Sequence, residues 1–190
     1  MNEIFNNFKK KELLRIKKFS YIDRFIYSKL SINCVDYLDK KNITPNMITL
    51  VSFLFGLLSS LNLYFDYYTL SGICFITNYI IDCIDGPLAR YSNKTSKFGD
   101  IYDHFTDILT FMLLLYVSYL KNFSVFYFFS ISIFSLTTFI NTSYSADYGI
   151  LLYSQKIIPK KIFKNKFNQF DTAFLNMYIS FYLILTSFYL

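Results

Sequence analysis

The sequence predicts an all-α protein: a polytopic transmembrane helical bundle of five spans, with a sixth left open, preceded by an amphipathic helix on the membrane surface. Three observations carry this reading. Hydrophobic residues make up 54% of the 190 residues and aromatic residues 22%, yet the formal net charge is +6, a combination that fits neither a disordered chain nor an ordinary small soluble domain. Segments 47–65, 123–146 and 172–190 contain no Asp, Glu, Lys or Arg, and each is close to the ~20 residues a helix needs to cross a bilayer. The basic residues also cluster. Ten of the 19 Lys and Arg residues lie between Lys9 and Lys41, Arg90, Lys94 and Lys97 sit mid-chain, five lie between Lys156 and Lys166, and Lys121 stands alone in a connection on the opposite side.

Cytoplasmic connections are enriched in Lys and Arg near the spans. Threading the chain alternately through the bilayer therefore puts the N-terminus, the 90s segment and the 156–166 segment in the cytoplasm and the C-terminus outside. Because the charges flank apolar spans instead of forming one face of a soluble domain, no nucleic-acid partner is expected. Cys34, Cys74 and Cys83 show neither metal-ligand spacing nor a framework of bridges and read as small apolar residues. The first twenty residues lack a continuous apolar stretch, so no secretory signal is read there.

In chain order, residues 1–20 form a polar, basic segment of partial order, and residues 21–190 a single membrane domain without internal repeats. Ile22, Phe25, Ile26, Leu30, Val35 and Leu38 recur mainly at three- and four-residue intervals, with Asp23, Arg24, Lys29 and Asp36 between them. That pattern predicts an interfacial helix over 21–41, its apolar stripe in the acyl boundary and its bases toward anionic headgroups. Thr44 is placed to cap the first span and Pro45 suits its first position; Asn46 and Thr49 follow within the first turns. Segment 149–171, mixed basic and apolar, reads as a cytoplasmic connection.

Spans two and three are the informative ones. Their uncharged runs, 67–81 and 108–120, reach only about 22 and 20 Å as helices against a hydrocarbon core of about 30 Å. To cross, one helix must draw in Asp82, Asp85 and Gly86, and the other Asp100, Asp103 and Asp107. The short 91–98 connection makes the two helices antiparallel neighbours. Spacings of three (Asp82, Asp85) and four (Asp103, Asp107) put each pair on one helical face, so four carboxylates converge. Insertion scales charge about 2.5–3.5 kcal/mol for a central Asp, which Arg90 and Lys97 offset only in part. Hard divalent cations resolve the conflict, since Mg²⁺ takes oxygen ligands and is commonly shared between carboxylates and phosphates; the site thus predicts a phosphate-bearing substrate. The competing reading places these aspartates in water just below the membrane.

The segment Asp82-x2-Asp85-Gly86-x2-Ala89-Arg90-x8-Gly99-x3-Asp103-x3-Asp107 resembles, at every fixed position, the signature of the CDP-alcohol phosphatidyltransferases. Eight specified positions make a chance match on the order of 10⁻¹⁰ per starting point. Thr-Pro-Asn-Met-Ile-Thr at 44–49 is similar to the family's entry into its first transmembrane helix, and the likeness covers about residues 20 to 146. The resemblance implies a six-helix membrane fold whose aspartates bind two divalent ions, Mg²⁺ or Mn²⁺, and a cytidine diphosphate group at the cytoplasmic face. It implies that Asp82, Asp85 and Asp103 hold the metals, Asp82 and Asp103 touching both, and that Asp107 is both ligand and general base. It also implies donor contacts from Gly86, Arg90 and Ser96, with Pro45, Asn46 and Thr49 bordering the donor.

Residue chemistry leaves several of these roles double. Gly86 and Ala89 leave room for a flat cytosine ring, and Gly99 permits close helix approach, but all three also suit ordinary small-residue packing. Arg90 can bind phosphate or snorkel to the interface. Ser96 can bond a phosphate oxygen or cap the third span, while Lys94 and Lys97 read as solvated loop charges. His104, the sole histidine, follows Asp103 as in the branch that transfers choline or ethanolamine phosphate to diacylglycerol, where it has been considered as the base. Adjacent helical positions diverge by about 100°, which favours a structural or acceptor-side role for it.

The expected reaction moves a phosphatidyl or phosphoalcohol group from a CDP-linked donor to an alcohol and releases CMP. Donor and acceptor stay open between CDP-diacylglycerol with a polar alcohol and a CDP-aminoalcohol with diacylglycerol, and a homodimer is allowed. A cation channel lined by aspartates, or an inactive scaffold, are the alternatives; the channel gives no reason for the Gly86, Ala89, Arg90 and Gly99 spacing.

Overall fold

The computed structural model describes residues 3–16, 21–124, 127, 128, 131 and 172–186. Every regular element among them is helical: α1 (Glu3–Arg15), α2 (Tyr21–Ile26), a π-helical turn (Tyr27–Ser31), α3 (Ile32–Lys40), α4 (Pro45–Tyr64), α5 (Tyr68–Tyr91), α6 (Lys97–Leu120) and α7 (Thr172–Thr186). The expected fourth span and the 149–171 connection lie outside the described residues, apart from a few positions at the start of that span.

Thr44 caps α4 as its sequence position suggests, its hydroxyl accepting the Met47 N–H at 3.4 Å with Pro45 in the first turn. Among the described residues α4 is the one helix long and apolar enough to cross a membrane by length and composition. Helices α5 and α6 have 24 residues each, about 36 Å of helix. Each therefore runs without a break from its apolar stretch through its aspartates.

The packing is inside-out. On α4 the buried positions include Thr49, Ser52, Gly56, Ser59 and Ser60, while Leu50, Leu54, Leu58 and Leu61 are exposed; on α6, Ile101, Phe105, Ile108 and Met112 point outward while Thr106 and Thr110 are buried. Small and hydroxylated residues inside with large apolar ones outside are what helices use when lipid is the surrounding solvent, because backbones approach closely and polar groups pair across the interface. The Ser59 hydroxyl donates to the Ser71 carbonyl at 2.9 Å, and the Asn78 amide to the Ser52 carbonyl at 2.8 Å. A Cβ on Gly56 would sit 2.3 Å from Thr110 Cγ2, and one on Gly72 would sit 2.7 Å from the backbone oxygen of Ser180 in α7.

Two apolar clusters close the bundle at its ends. Leu63, Phe75, Leu114, Val117, Tyr127, Ile131, Ile179 and Leu183 join α4 to α7 far from the aspartates. Phe5, Val35, Ile48 and Leu88 tie α1 and α3 beneath α4 and α5. On the first side the Lys121 ammonium donates to Asp66 at 2.7 Å and the Tyr68 hydroxyl to the same carboxylate at 2.8 Å. Lys121, and after it Tyr68, hold the Asp66 carboxyl below its ordinary range. This exposed clamp is complete above the normal carboxylate pKa and is lost as pH falls through the lowered value.

The two N-terminal segments differ from expectation. Residues 3–15 form a complete helix, with Phe5 and Ile16 buried. The stripe over 21–41 is divided by the π-helical turn: Ile26, Ile32 and Val35 pack inward, whereas Phe25 is 61% exposed and Leu30 also faces out. The wider turn rotates the helix between α2 and α3, so one half of the stripe covers the protein and the other remains outside. Asp23 is buried and accepts the Tyr79 hydroxyl of α5.

At Gly72 the helix crossing is backbone against backbone, with the Ser180 carbonyl oxygen where a Cβ would go. Gly72→Ala should cost about 1–3 kcal/mol through overpacking, read as a lowered apparent unfolding midpoint of the purified protein in detergent, with the exposed Leu70→Ala nearly unchanged.

Candidate active site

The site lies where the C-terminal turns of α5 meet the N-terminal turns of α6. Between them a tight connection turns on Asn93, at a φ of 54°, a left-handed conformation that Asn tolerates better than most side chains. Ser96 then starts α6, its hydroxyl accepting the Gly99 N–H at 3.0 Å. This reversal puts the first turns of α6 beside the last turns of α5.

Asp82, Asp85 and Asp103 each bring one carboxylate oxygen within 4.8 Å of the others. Thr49, fully buried on α4, donates its hydroxyl to Asp85 Oδ2 at 2.5 Å and fixes that carboxylate. The Oδ1 atoms of Asp82 and Asp103 are buried without a hydrogen-bond partner. Ionised carboxylates only accept hydrogen bonds and cannot satisfy one another. An all-oxygen set with two unpartnered buried acceptors fits a hard divalent cation, which supplies the missing positive charge. Asp107 stands outside this trio; it lies one helical turn beyond Asp103 and is exposed.

Against the trio opens a cavity of about 150 Å³. Its lining brings together Pro45, Asn46 and Thr49 from α4, Asp85, Gly86, Ala89 and Arg90 from α5, Lys94, Thr95 and Ser96 from the connection, and Gly99, Asp100 and Asp103 from α6. All seven positions singled out for the donor thus share one wall, whereas Asp82 and Asp107 do not border it. Space explains the glycines: a Cβ on Gly99 would lie 3.1 Å from Ser96 Oγ and 3.2 Å from Asn46 Oδ1, and one on Gly86 would lie 3.2 Å from Arg90 Nη1. Ser96 both caps α6 and lines the cavity.

Three residues make approaches that the sequence reading did not give. Lys94, read as a solvated loop charge, is exposed but borders the cavity. His104, expected to turn away from the face of Asp103, brings Nδ1 to 3.6 Å from Asp103 Oδ2 while staying nearly half exposed. Arg90, read as a phosphate ligand or an interfacial anchor, donates Nε and Nη2 to the two carboxylate oxygens of Glu12 at 2.9 and 3.0 Å. Glu12 itself went unnoticed in the sequence, where it is one acid within a run of lysines.

Residues 42–190 match the family model described as CDP-alcohol phosphatidyltransferase. The chain belongs to this family. Among relatives, the archaetidylinositol phosphate synthase of Pyrococcus horikoshii is 41% identical over 68 residues, 36% of each chain. The bifunctional IPC transferase and DIPP synthase of Archaeoglobus fulgidus is 32% identical over 141 residues, 71% of this chain and 28% of that protein. The CDP-diacylglycerol–inositol 3-phosphatidyltransferase of Drosophila melanogaster is 40% identical over 40 residues, 21% of this chain and 18% of the relative. These matches therefore span about a third or less of the relatives' own length. Members of the CDP-alcohol phosphatidyltransferase family are membrane proteins, in keeping with the apolar outer surface of α4 and α6.

The bond from Thr49 to Asp85 is charge-assisted and buried, a class contributing about 1.5–3 kcal/mol. Thr49→Val, which keeps the shape and removes the donor, should weaken Mn²⁺ binding about tenfold by calorimetry, and Thr49→Ser should restore most of it.

Proposed function

We propose that this chain is a divalent-metal-dependent transferase of phospholipid synthesis, moving a phosphatidyl-type group from a CDP-linked lipid to a polar alcohol with release of CMP. The observation that carries the reading is the juxtaposition of the Asp82, Asp85 and Asp103 trio with a cavity walled by Asn46, Thr49, Gly86, Ala89, Arg90, Ser96 and Gly99. The names of the Pyrococcus and Drosophila relatives both include inositol. They support a CDP-diacylglycerol-like donor and an inositol-type polyol acceptor over the CDP-aminoalcohol branch that His104 alone suggests.

Asp82, Asp85, Asp103 and Asp107 are the residues to hold two divalent ions, Mg²⁺ or Mn²⁺, which when bound neutralise the diphosphate and the charge left on CMP. Asn46, Gly86 and Ala89 form the walls for the cytidine moiety. Arg90 and Ser96 face its phosphates, where a guanidinium and a hydroxyl each offer donors. Asp107 is the general base. It takes the proton of the acceptor hydroxyl as that oxygen bonds to the phosphorus distal to cytidine, and the bond from this phosphorus to the CMP oxygen breaks. His104, beside Asp103 at the exposed rim, serves the acceptor side. The outward-facing apolar residues of α4 and α6 support a multi-pass placement with this site at the cytoplasmic rim, where the basic N-terminus and Lys94 also lie.

Purified protein supplied with CDP-diacylglycerol and a panel of polyols including inositol should release CMP, and a chelator should abolish the release. Asp107→Asn should lower kcat by about 10²–10⁴-fold and, because Asp107 is also proposed as a ligand, weaken Mn²⁺ binding. Absence of CMP release with every donor, CDP-choline and CDP-ethanolamine included, would sink the proposal.

A further inference from the structure

Helix α1 lies outside the family-matched residues 42–190, yet it reaches the candidate site. Phe5 and Phe8 pack edge-on against Tyr91, with ring centroids at 6.0 and 5.0 Å. Lys9 donates to Asn33 of α3 at 2.8 Å. These contacts lay α1 beneath the end of α5 and bring in Glu12, whose side chain is only 4% exposed. A buried carboxylate in this position demands a partner, and it has one in Arg90 through a bidentate fork. Arg15, 3.8 Å from Oε1, adds a second positive charge.

The geometry of the fork points to its use. Glu12 occupies the Nε and Nη2 edge of the guanidinium, and Nη1 is the atom that stands against Gly86 at the cavity wall. A guanidinium carries five N–H donors in a rigid plane, so two bonds to Glu12 fix its orientation and leave three for a ligand. Arginine side chains are otherwise rich in rotamers, and ordering one on binding weakens affinity.

We infer that Glu12 is a positioning residue of the donor site: α1 holds Arg90 through Glu12 so that its Nη1 edge faces the diphosphate of a CDP-linked ligand. The inference rests on the donor assignment proposed above. Glu12 touches no ligand itself and acts only through Arg90.

The test uses the full chain in detergent with Mg²⁺ and two probes, CDP and cytidine, so that binding is read without acceptor or turnover. Glu12→Gln, which keeps the shape but breaks the charge-assisted fork, should weaken CDP binding about tenfold by calorimetry and leave cytidine binding unchanged. In turnover it should raise the donor KM by a similar factor with kcat and acceptor KM near wild type. Arg90→Ala should weaken CDP binding at least as much, and Glu12→Gln should add little in that background. Glu12→Asp, whose shorter carboxylate still pairs, should recover part of the affinity. A folded Glu12→Gln protein that binds CDP like wild type overturns the inference, as does equal weakening of CDP and cytidine, the signature of a merely structural helix. Wild-type protein that binds CDP but releases no CMP would fail the proposed reaction and leave this test standing, whereas wild-type protein that does not bind CDP would overturn both.

Discussion

Gathering Asp82, Asp85 and Asp103 so that one oxygen of each lies within 4.8 Å of the others is electrostatically unfavourable in a low-dielectric interior, and the surrounding structure is arranged to hold it. The connection between α5 and α6 is short and turns on one left-handed asparagine, so the two acidic faces cannot drift apart along the bundle. Thr49 fixes one carboxylate from a third helix. Two oxygens are left without partners, a need that a neighbouring hydroxyl or amide donor would have met had the site been built for stability alone. That combination of enforced proximity and unmet acceptors fits the divalent cation proposed for the site.

Holding like charges together requires rigid scaffolding, and here rigidity comes from backbone proximity more than from bulky apolar interdigitation. Gly56 against Thr110 and Gly72 against Ser180 bring helix axes close, and serine hydroxyls bridge the gaps. Since lipid is as apolar as leucine, large side chains gain little by turning inward in a membrane, and the interior is free to be small and polar. The same logic continues to the cavity, where Gly86 and Gly99 are narrow because side chains of Arg90, Ser96 and Asn46 already occupy the adjoining space.

Much of this was legible in the residues, for a definite reason. Helical periodicity turns the spacings 82/85 and 103/107 directly into faces, and caps such as Thr44-Pro45 and Ser96 announce where helices begin, so the meeting of the two acidic faces follows from local rules and one short connection, whereas the place of Asn46 and Thr49 beside them came from the family resemblance and Asp107 falls outside the trio. The division of the 21–41 stripe did not follow, because a π-helical turn changes the residue count per turn without altering the polar pattern. Nor did the Glu12–Arg90 fork, whose partners are 78 positions apart and belong to no shared period. Nor did the approach of His104 Nδ1 to Asp103, because a wheel of Cα directions leaves out how far an imidazole can swing back toward the preceding residue.

The position of Asp107 is the last consequence of that periodicity. A step of four residues keeps it on the face of Asp103 but moves it about 6 Å along the axis, out of the trio and into an exposed setting. In the proposed reaction this offset lets Asp107 act as base at the rim while it also contributes to holding the ions. Oxygens enclosed among the trio have their lone pairs directed at cations, whereas a carboxylate at the rim keeps a lone pair facing the side from which an alcohol arrives. Spacings of three and four both keep a pair on one helical face, and here the longer step leaves Asp107 one turn beyond the trio.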